Sequence, residues 1–337
     1  MNRGLVLVAI ACCCTAIGET GVAQSGLTTS SPQFIEQFEA GKRALEGGHY
    51  RDAVGYFKKA NKLEGNSCYP CLLGMAHADL KLEDYKNAVE STVKAIGAAK
   101  DDHERAAAHN LKGNILIATA QSPKDLANAE DEYKAATELD KSVPVYHLNC
   151  ATAMIRQSKD EAAKAELQIC LDAHPGPDLG RQAQALLADP RRGRETFAPD
   201  FNVKAISGEG ISLQKFAGKV LVMDFWATWC PPCRASVSEL KDLTRKYPAE
   251  QLVLISVSAD DNEDEWREFV GKKHMDWLQY RDSNHQLLEA FGVHSFPTYL
   301  VIDGDGIIRQ RLTGLNPQET VVHRLRATLE TMPQLRK

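Results

Sequence analysis

Basic residues do not outnumber acidic ones in this chain. Its 40 Lys and Arg face 45 Asp and Glu, a formal net charge of −5. A protein that grips nucleic acid needs clustered positive charge to neutralise phosphates, so nucleic acid is excluded as an expected partner. Long apolar runs are also scarce. The one at the N-terminus, Leu5 to Ile17, has thirteen residues, too few to span a bilayer. Metal-ligand spacing is missing as well. The Cys-Pro-Pro-Cys run at 230–233 is followed by neither a second C-x-x-C nor paired histidines. Zinc takes four ligands, and the C-x-x-C-H signature of attached haem is absent, so neither a metal nor a cofactor is expected.

What is present begins with a leader. Arg3 precedes the short apolar run, and Gly21-Val22-Ala23 offers a small-x-small cleavage site before Gln24. Residues 1–23 therefore read as a secretory signal peptide, which places the mature protein in the periplasm or outside the cell. Of nine cysteines, Cys12, Cys13 and Cys14 leave with that segment. The six that remain, Cys68, Cys71, Cys150, Cys170, Cys230 and Cys233, are an even number, as an oxidising compartment permits.

The chemistry concentrates at Trp229-Cys230-Pro231-Pro232-Cys233, just after the apolar stretch Val220–Phe225, which reads as a buried strand. If a helix starts at Cys230, its sulfur lies where backbone N–H groups and the helix dipole favour a thiolate. Cys233, one turn on, can close a disulfide with it. This is the equipment for thiol–disulfide exchange.

With Ala198-Pro199-Asp200-Phe201, Gly218-Lys219, Val293-His294-Ser295-Phe296-Pro297-Thr298 and Ile302-Asp303-Gly304-Asp305-Gly306, the segment 197–332 resembles thioredoxin-fold proteins of the TlpA/ResA type. The resemblance implies an α/β thioredoxin fold over 201–332, an insertion at about 260–291 and no cofactor. It implies Cys230 as attacking thiolate and Cys233 as resolving thiol. Pro297 matches the family's cis-proline, which faces the pair, with Phe296 presenting backbone to an incoming peptide. Trp229, Pro231 and Pro232 complete the substrate-binding surface. Three positions depart from the family: Asp224 where asparagine is common, Ser236 where relatives carry glutamate, and Ser238 in place of a helix-kinking proline. A carboxylate buried at position 224 has a raised pKa suited to accepting the resolving thiol's proton, so Asp224 joins the expected catalytic set. The acidic run 260–265 reads as a solvated helix start, where negative charge suits the dipole. Apolar runs at 220–225, 252–258 and 298–303 imply a mostly parallel sheet, closed by an antiparallel strand at 307–313 and a last helix from Asn316-Pro317 to Thr331.

The first half of the chain is repetitive. Gly48-His49-Tyr50-Arg51-Asp52-Ala53 recurs as Leu82-Glu83-Asp84-Tyr85-Lys86-Asn87-Ala88, 35 residues on, with looser copies centred on Ala129 and Ala162. Each precedes an amphipathic helix. The pattern looks like tetratricopeptide repeats, giving an all-α array over 34–188 with a capping helix from 178, then a linker at 189–200. Such arrays form concave surface that holds a protein partner, and His77 and His147 fall on first helices that could face it. Cys150 and Cys170 lie ten residues either side of position 160, the expected hairpin turn, and are expected to form a structural disulfide. Cys68-Tyr69-Pro70-Cys71 also starts a helix, as redox pairs do. A local structural disulfide is expected there, with a second redox centre the alternative.

The chain is therefore expected to be an exported disulfide reductase acting on client proteins, recharged by a membrane or envelope electron donor. The prolines between Cys230 and Cys233 remove N–H groups that would stabilise a thiolate, which argues for a reductant over a disulfide-forming oxidant. The alternatives are a repeat-based adaptor with the thioredoxin domain as an accessory module, or that oxidant. A peroxidase would need P-x-x-x-T-x-x-C, and residues 223–230 lack it.

Overall fold

The computed structural model describes residues 31–314 and 319–335 and separates into two units, Met1–Arg194 and Glu195–Lys337. The expected leader, Asn316 and Pro317 lie outside the described residues.

The first unit is a run of helical hairpins: α1 (Pro32–Glu46) with α2 (Tyr50–Leu63), α3 (Tyr69–Lys81) with α4 (Tyr85–Ala98), α5 (Asp102–Thr119) with α6 (Pro123–Leu139), and α7 (Pro144–Arg156) with α8 (Asp160–Asp172). A ninth helix, α9 (Pro177–Ala188), covers the end. Short polar side chains start several of them. Ser31, Asp84, Asp101 and Ser122 each accept an N–H from the first turn of the helix that follows. Gly48, Glu83 and Ser158 take left-handed backbone between the helices of the first, second and fourth hairpins. Packing depends on small residues at the crossings. A Cβ at Gly74 would lie 2.6 Å from the Phe57 ring, and one at Gly113 2.5 Å from Tyr133. This repeated small-against-aromatic contact makes the array tetratricopeptide-like.

Three expectations change here. Ala53, Ala88 and Ala129 are fully buried at their crossings, but in the fourth hairpin Ala163, not Ala162, takes that place. Cys150 and Cys170 are both buried and both free thiols. Equal distance from the turn sets their height along the hairpin, whereas a disulfide also needs the Cβ vectors to converge. Each instead packs as a small apolar group, with burial raising Cys150 to about 12 and Cys170 to about 11. His147 does not open onto a groove: it is buried, with Nδ1 2.6 Å from Glu166 Oε2 and Nε2 3.1 Å from the Lys141 carbonyl. His77 is half-buried against the Leu73 carbonyl, and burial lowers its pKa.

The expected linker is divided between the units. Residues 190–193 form a 3-10 turn, and Arg194 makes a two-pronged pair with Asp160, so this part belongs to the helical array. Phe197 bridges to Ile307 in the second unit.

That second unit is an α/β fold. A small hairpin of β1 (Asn202–Lys204) and β2 (Gly210–Ser212) precedes a five-stranded sheet ordered β5-β4-β3-β6-β7. Its strands are β3 (Val220–Trp226), β4 (Leu252–Ser258), β5 (Leu278–Arg281), β6 (Thr298–Ile302) and β7 (Ile308–Thr313). The β3–β4 and β4–β5 pairs are parallel, and β3–β6 and β6–β7 antiparallel, so the sheet is mixed rather than mostly parallel. The expected insertion contains α11 (Glu263–Lys272), the edge strand β5 and α12 (Gln286–Ala290). β5 escaped notice because four residues show too little alternation. Helices α10 (Pro231–Lys246) and α13 (Val321–Thr331) complete the unit, and α13 is capped by Thr320. Cores lie on both sheet faces, so β3 and β4 are buried along their whole length and read as continuous apolar runs.

Candidate active site

Strand β3 fixes the site. Its alternate residues Leu221, Met223 and Phe225 enter one core, and Val220 and Val222 the other, with Leu240 and Leu243 of α10. Asp224 shares that second face by the period-two rule. In register it lies between Ser256 of β4 and Tyr299 of β6.

At the end of β3 the chain turns through Ala227–Trp229 into α10, whose N-cap is Cys230. The Cys230 sulfur accepts the Cys233 N–H at 3.3 Å, and the two cysteines are disulfide-bonded. Both are buried within a cluster of Trp226, Val237, Trp266 and Met275, against which Phe296 packs. The Phe296–Pro297 bond is cis. Trp229 is the exception to burial, with 63% of its surface exposed and its ring edge-on to Phe296 at 5.8 Å. Pro231 is exposed and Pro232 half-buried. A groove of about 430 Å³ runs from Trp229 and Phe296 to Asp261, His285, Glu289 and His294. Its apolar rim ends in charged and imidazole groups, and Trp229 on that rim is next in sequence to Cys230.

Asp224 is buried, and its Oδ2 accepts from Ser256 Oγ at 2.8 Å, which in turn accepts from Trp277 Nε1 at 2.8 Å. Burial pushes its carboxyl up to about 7, partly offset by the Ser256 bond. Such a group gives and takes a proton near neutrality. Ser236 is buried one turn after Cys233 and donates to the Pro232 carbonyl. Position 238 leaves α10 continuous from Pro231 to Lys246.

Sequence reasoning missed Asp260. It is buried, unlike the exposed Glu263, Asp264 and Glu265 that start α11. Its carboxylate accepts the Thr228 N–H at 3.0 Å, the Thr228 hydroxyl at 2.6 Å and the Ser258 hydroxyl at 2.6 Å. This pins the turn that delivers Cys230. The available signal was position: Asp260 follows β4, at the same end of the parallel pair as the cysteines.

The comparisons agree with this geometry. The Redoxin family model matches residues 194–329. The thiol-disulfide oxidoreductase ResA of Bacillus thuringiensis subsp. konkukian is 30% identical over 122 residues, 36% of this chain and 70% of that protein. The thioredoxin-like protein YneN of Bacillus subtilis is 32% identical over 131 residues, 38% of this chain and 76% of that protein. A solved Chlorobium tepidum structure, described as a thiol:disulfide interchange protein DsbE, matches 40% of this chain and 94% of its own at 26% identity, with a TM-score of 0.37. A cysteine pair at a helix start agrees with the ResA relative, 30% identical and covered over 70% of its length: through its second unit the chain belongs to the ResA-like thiol-disulfide oxidoreductases.

Proposed function

We propose that this chain is an exported protein-disulfide reductase whose helical array holds the client. The observation that carries the reading is the Cys230–Cys233 pair at the N-terminus of α10, with Asp224 buried on the sheet face that α10 covers. In the reduced form, the Cys230 thiolate attacks a client disulfide, and one client sulfur leaves and takes a proton from solvent. Cys233 gives its proton to Asp224 and attacks Cys230, and the second client sulfur leaves and takes up the proton that Asp224 returns. Two electrons and two protons pass to the client, and the Cys230–Cys233 disulfide is restored. Trp229, Phe296 and the proline loop line the approach, and Pro231 and Pro232 leave the Cys230 thiolate with fewer N–H donors, which favours the reducing direction. A dithiol electron donor at the membrane or in the envelope recharges the pair. The leader-like sequence at 1–23 supports export, and the stacked hairpins support client binding because such arrays present continuous concave surface.

The test is insulin reduction with dithiothreitol as donor. Turnover well above the donor alone is expected, abolished by Cys230→Ser, while Cys233→Ser accumulates a mixed disulfide with the client. A pair potential near −270 mV supports a reductase, and one near −120 mV would make the protein a disulfide-forming oxidant.

A further inference from the structure

The cysteine arrangement of α10 occurs a second time, on the helical array. Cys68 is the N-cap of α3, and its sulfur accepts the Cys71 N–H at 3.2 Å, as Cys230 accepts that of Cys233 at 3.3 Å. Both pairs are disulfides, and both helices carry proline in their first turn. Exposure follows the same order. Cys68 is 7% exposed and Cys71 fully buried, against 5% for Cys230 and 3% for Cys233. In each pair the N-cap cysteine is the less buried of the two, and it is the one assigned to receive an incoming thiolate.

A stapling role accounts poorly for the Cys68–Cys71 bond. A disulfide stabilises most when it closes a long loop, and this one closes the shortest useful loop within the start of one helix. The backbone there is already held, by the Cys68 N–H on Asn61 Oδ1 at 3.0 Å and the Leu72 N–H on the Cys68 carbonyl at 3.0 Å. Cys150 and Cys170, in the same array, remain unpaired. We infer that Cys68–Cys71 is a second thiol–disulfide exchange centre, one that accepts electrons from a vicinal protein dithiol.

The step balances. An outer thiolate of the donor dithiol attacks Cys68 Sγ, the Cys68–Cys71 bond breaks and Cys71 leaves, taking a proton from solvent. The donor's second thiolate then attacks the first and releases Cys68, which is protonated in turn. Two electrons and two protons move to the array, and the donor becomes a disulfide. The two sites offer the same backbone donor: each N-cap sulfur accepts the N–H of its inner cysteine, and both helices carry proline at the second position. Direction follows instead from the reducing role proposed for the second unit, with electrons running from the Cys230/Cys233 dithiol of one copy to the Cys68–Cys71 disulfide of another. The donor's identity, though not the reactivity of the pair, rests on the function proposed above.

The experiment uses two full-length variants. One, C230S/C233S, keeps the Cys68–Cys71 disulfide and is mixed with pre-reduced C68S/C71S. Acid quenching, alkylation and intact mass then count thiols, reduction of the pair adding two alkyl groups. More than half of the pair is expected to be reduced at equal concentrations within minutes, slowed about 100-fold when the donor also carries Cys230→Ser. No exchange over hours, from a donor that still reduces insulin, would overturn the proposal. If the donor fails on insulin, the function proposed above fails, and glutathione buffers decide the reactivity of the array pair. Equilibration of Cys68–Cys71 with unchanged far-UV dichroism supports an exchange centre, and reduction only in denaturant refutes it.

Discussion

Replacing Asp224 by asparagine should stabilise the redoxin unit at neutral pH while crippling its chemistry. The native carboxyl titrates at about 7, against 3.8 for an ordinary aspartate, because the group is buried. Between about pH 4 and 7 the native state holds a proton that the unfolded chain has released. The slope of stability with pH is then negative. At about 1.4 kcal/mol per unit over roughly three units, Asp224 costs the fold about 4 kcal/mol above pH 7 and nothing below pH 4. Asparagine does not titrate, so the stability difference, variant minus wild type, should rise by about 4 kcal/mol from pH 4 to pH 8. The readout is selective, since all 4 tryptophans (226, 229, 266 and 277) lie in this unit. Urea titrations followed by fluorescence at 295 nm excitation, with the Cys230–Cys233 disulfide kept intact, therefore ignore the array, where Asp79 is pushed up to about 6 by burial. Over the same range the variant should reduce insulin about 100-fold more slowly, having lost its proton acceptor. A difference flat to within about 1 kcal/mol would refute the burial argument. A normal rate would remove Asp224 from the mechanism.

Other outcomes follow from particular contacts. Asp260→Ala leaves the Thr228 N–H and hydroxyl without their acceptor, so it should cost about 1–3 kcal/mol and slow insulin reduction about tenfold or more by loosening the turn before Cys230. Gly74→Ala would set a methyl 2.6 Å from the Phe57 ring, and an overpacking cost of about 1–3 kcal/mol should appear in helix melting by far-UV dichroism, with tryptophan fluorescence unmoved. In the oxidised chain from residue 24 onward, thiol titration should find two groups, Cys150 and Cys170, reacting promptly only after denaturation. Zero groups would restore the disulfide expected from their spacing.

The site was legible wherever chemistry needs a fixed local spacing. Cys230 and Cys233 announce themselves because one helical turn separates an outer from an inner sulfur. The repeats were legible because each hairpin needs a small residue at its crossing, though the fourth copy is shifted by one residue, from Ala162 to Ala163. Asp260 was lost in an acidic run. Its neighbours Glu263, Asp264 and Glu265 satisfy the helix dipole in solvent, and nothing local separates a solvated carboxylate from one that reaches across to Thr228. Cys150 and Cys170 failed for a related reason: spacing fixes height along a hairpin but not the azimuth of a side chain.

By itself, the sequence determined the element types, the helical array followed by an α/β unit, and the exchange chemistry. Those depend on periodicity, capping and the three-residue step between two thiols, all local properties of the chain. Tertiary structure alone singled out Asp260: the parallel pairing of β3 with β4 brought it to the turn before Cys230, whereas Asp224 was already marked by its place in an apolar strand. Tertiary structure also left Cys150 and Cys170 unpaired. Desolvation and side-chain direction are set by what packs around a residue, and in both units that comes from far along the chain.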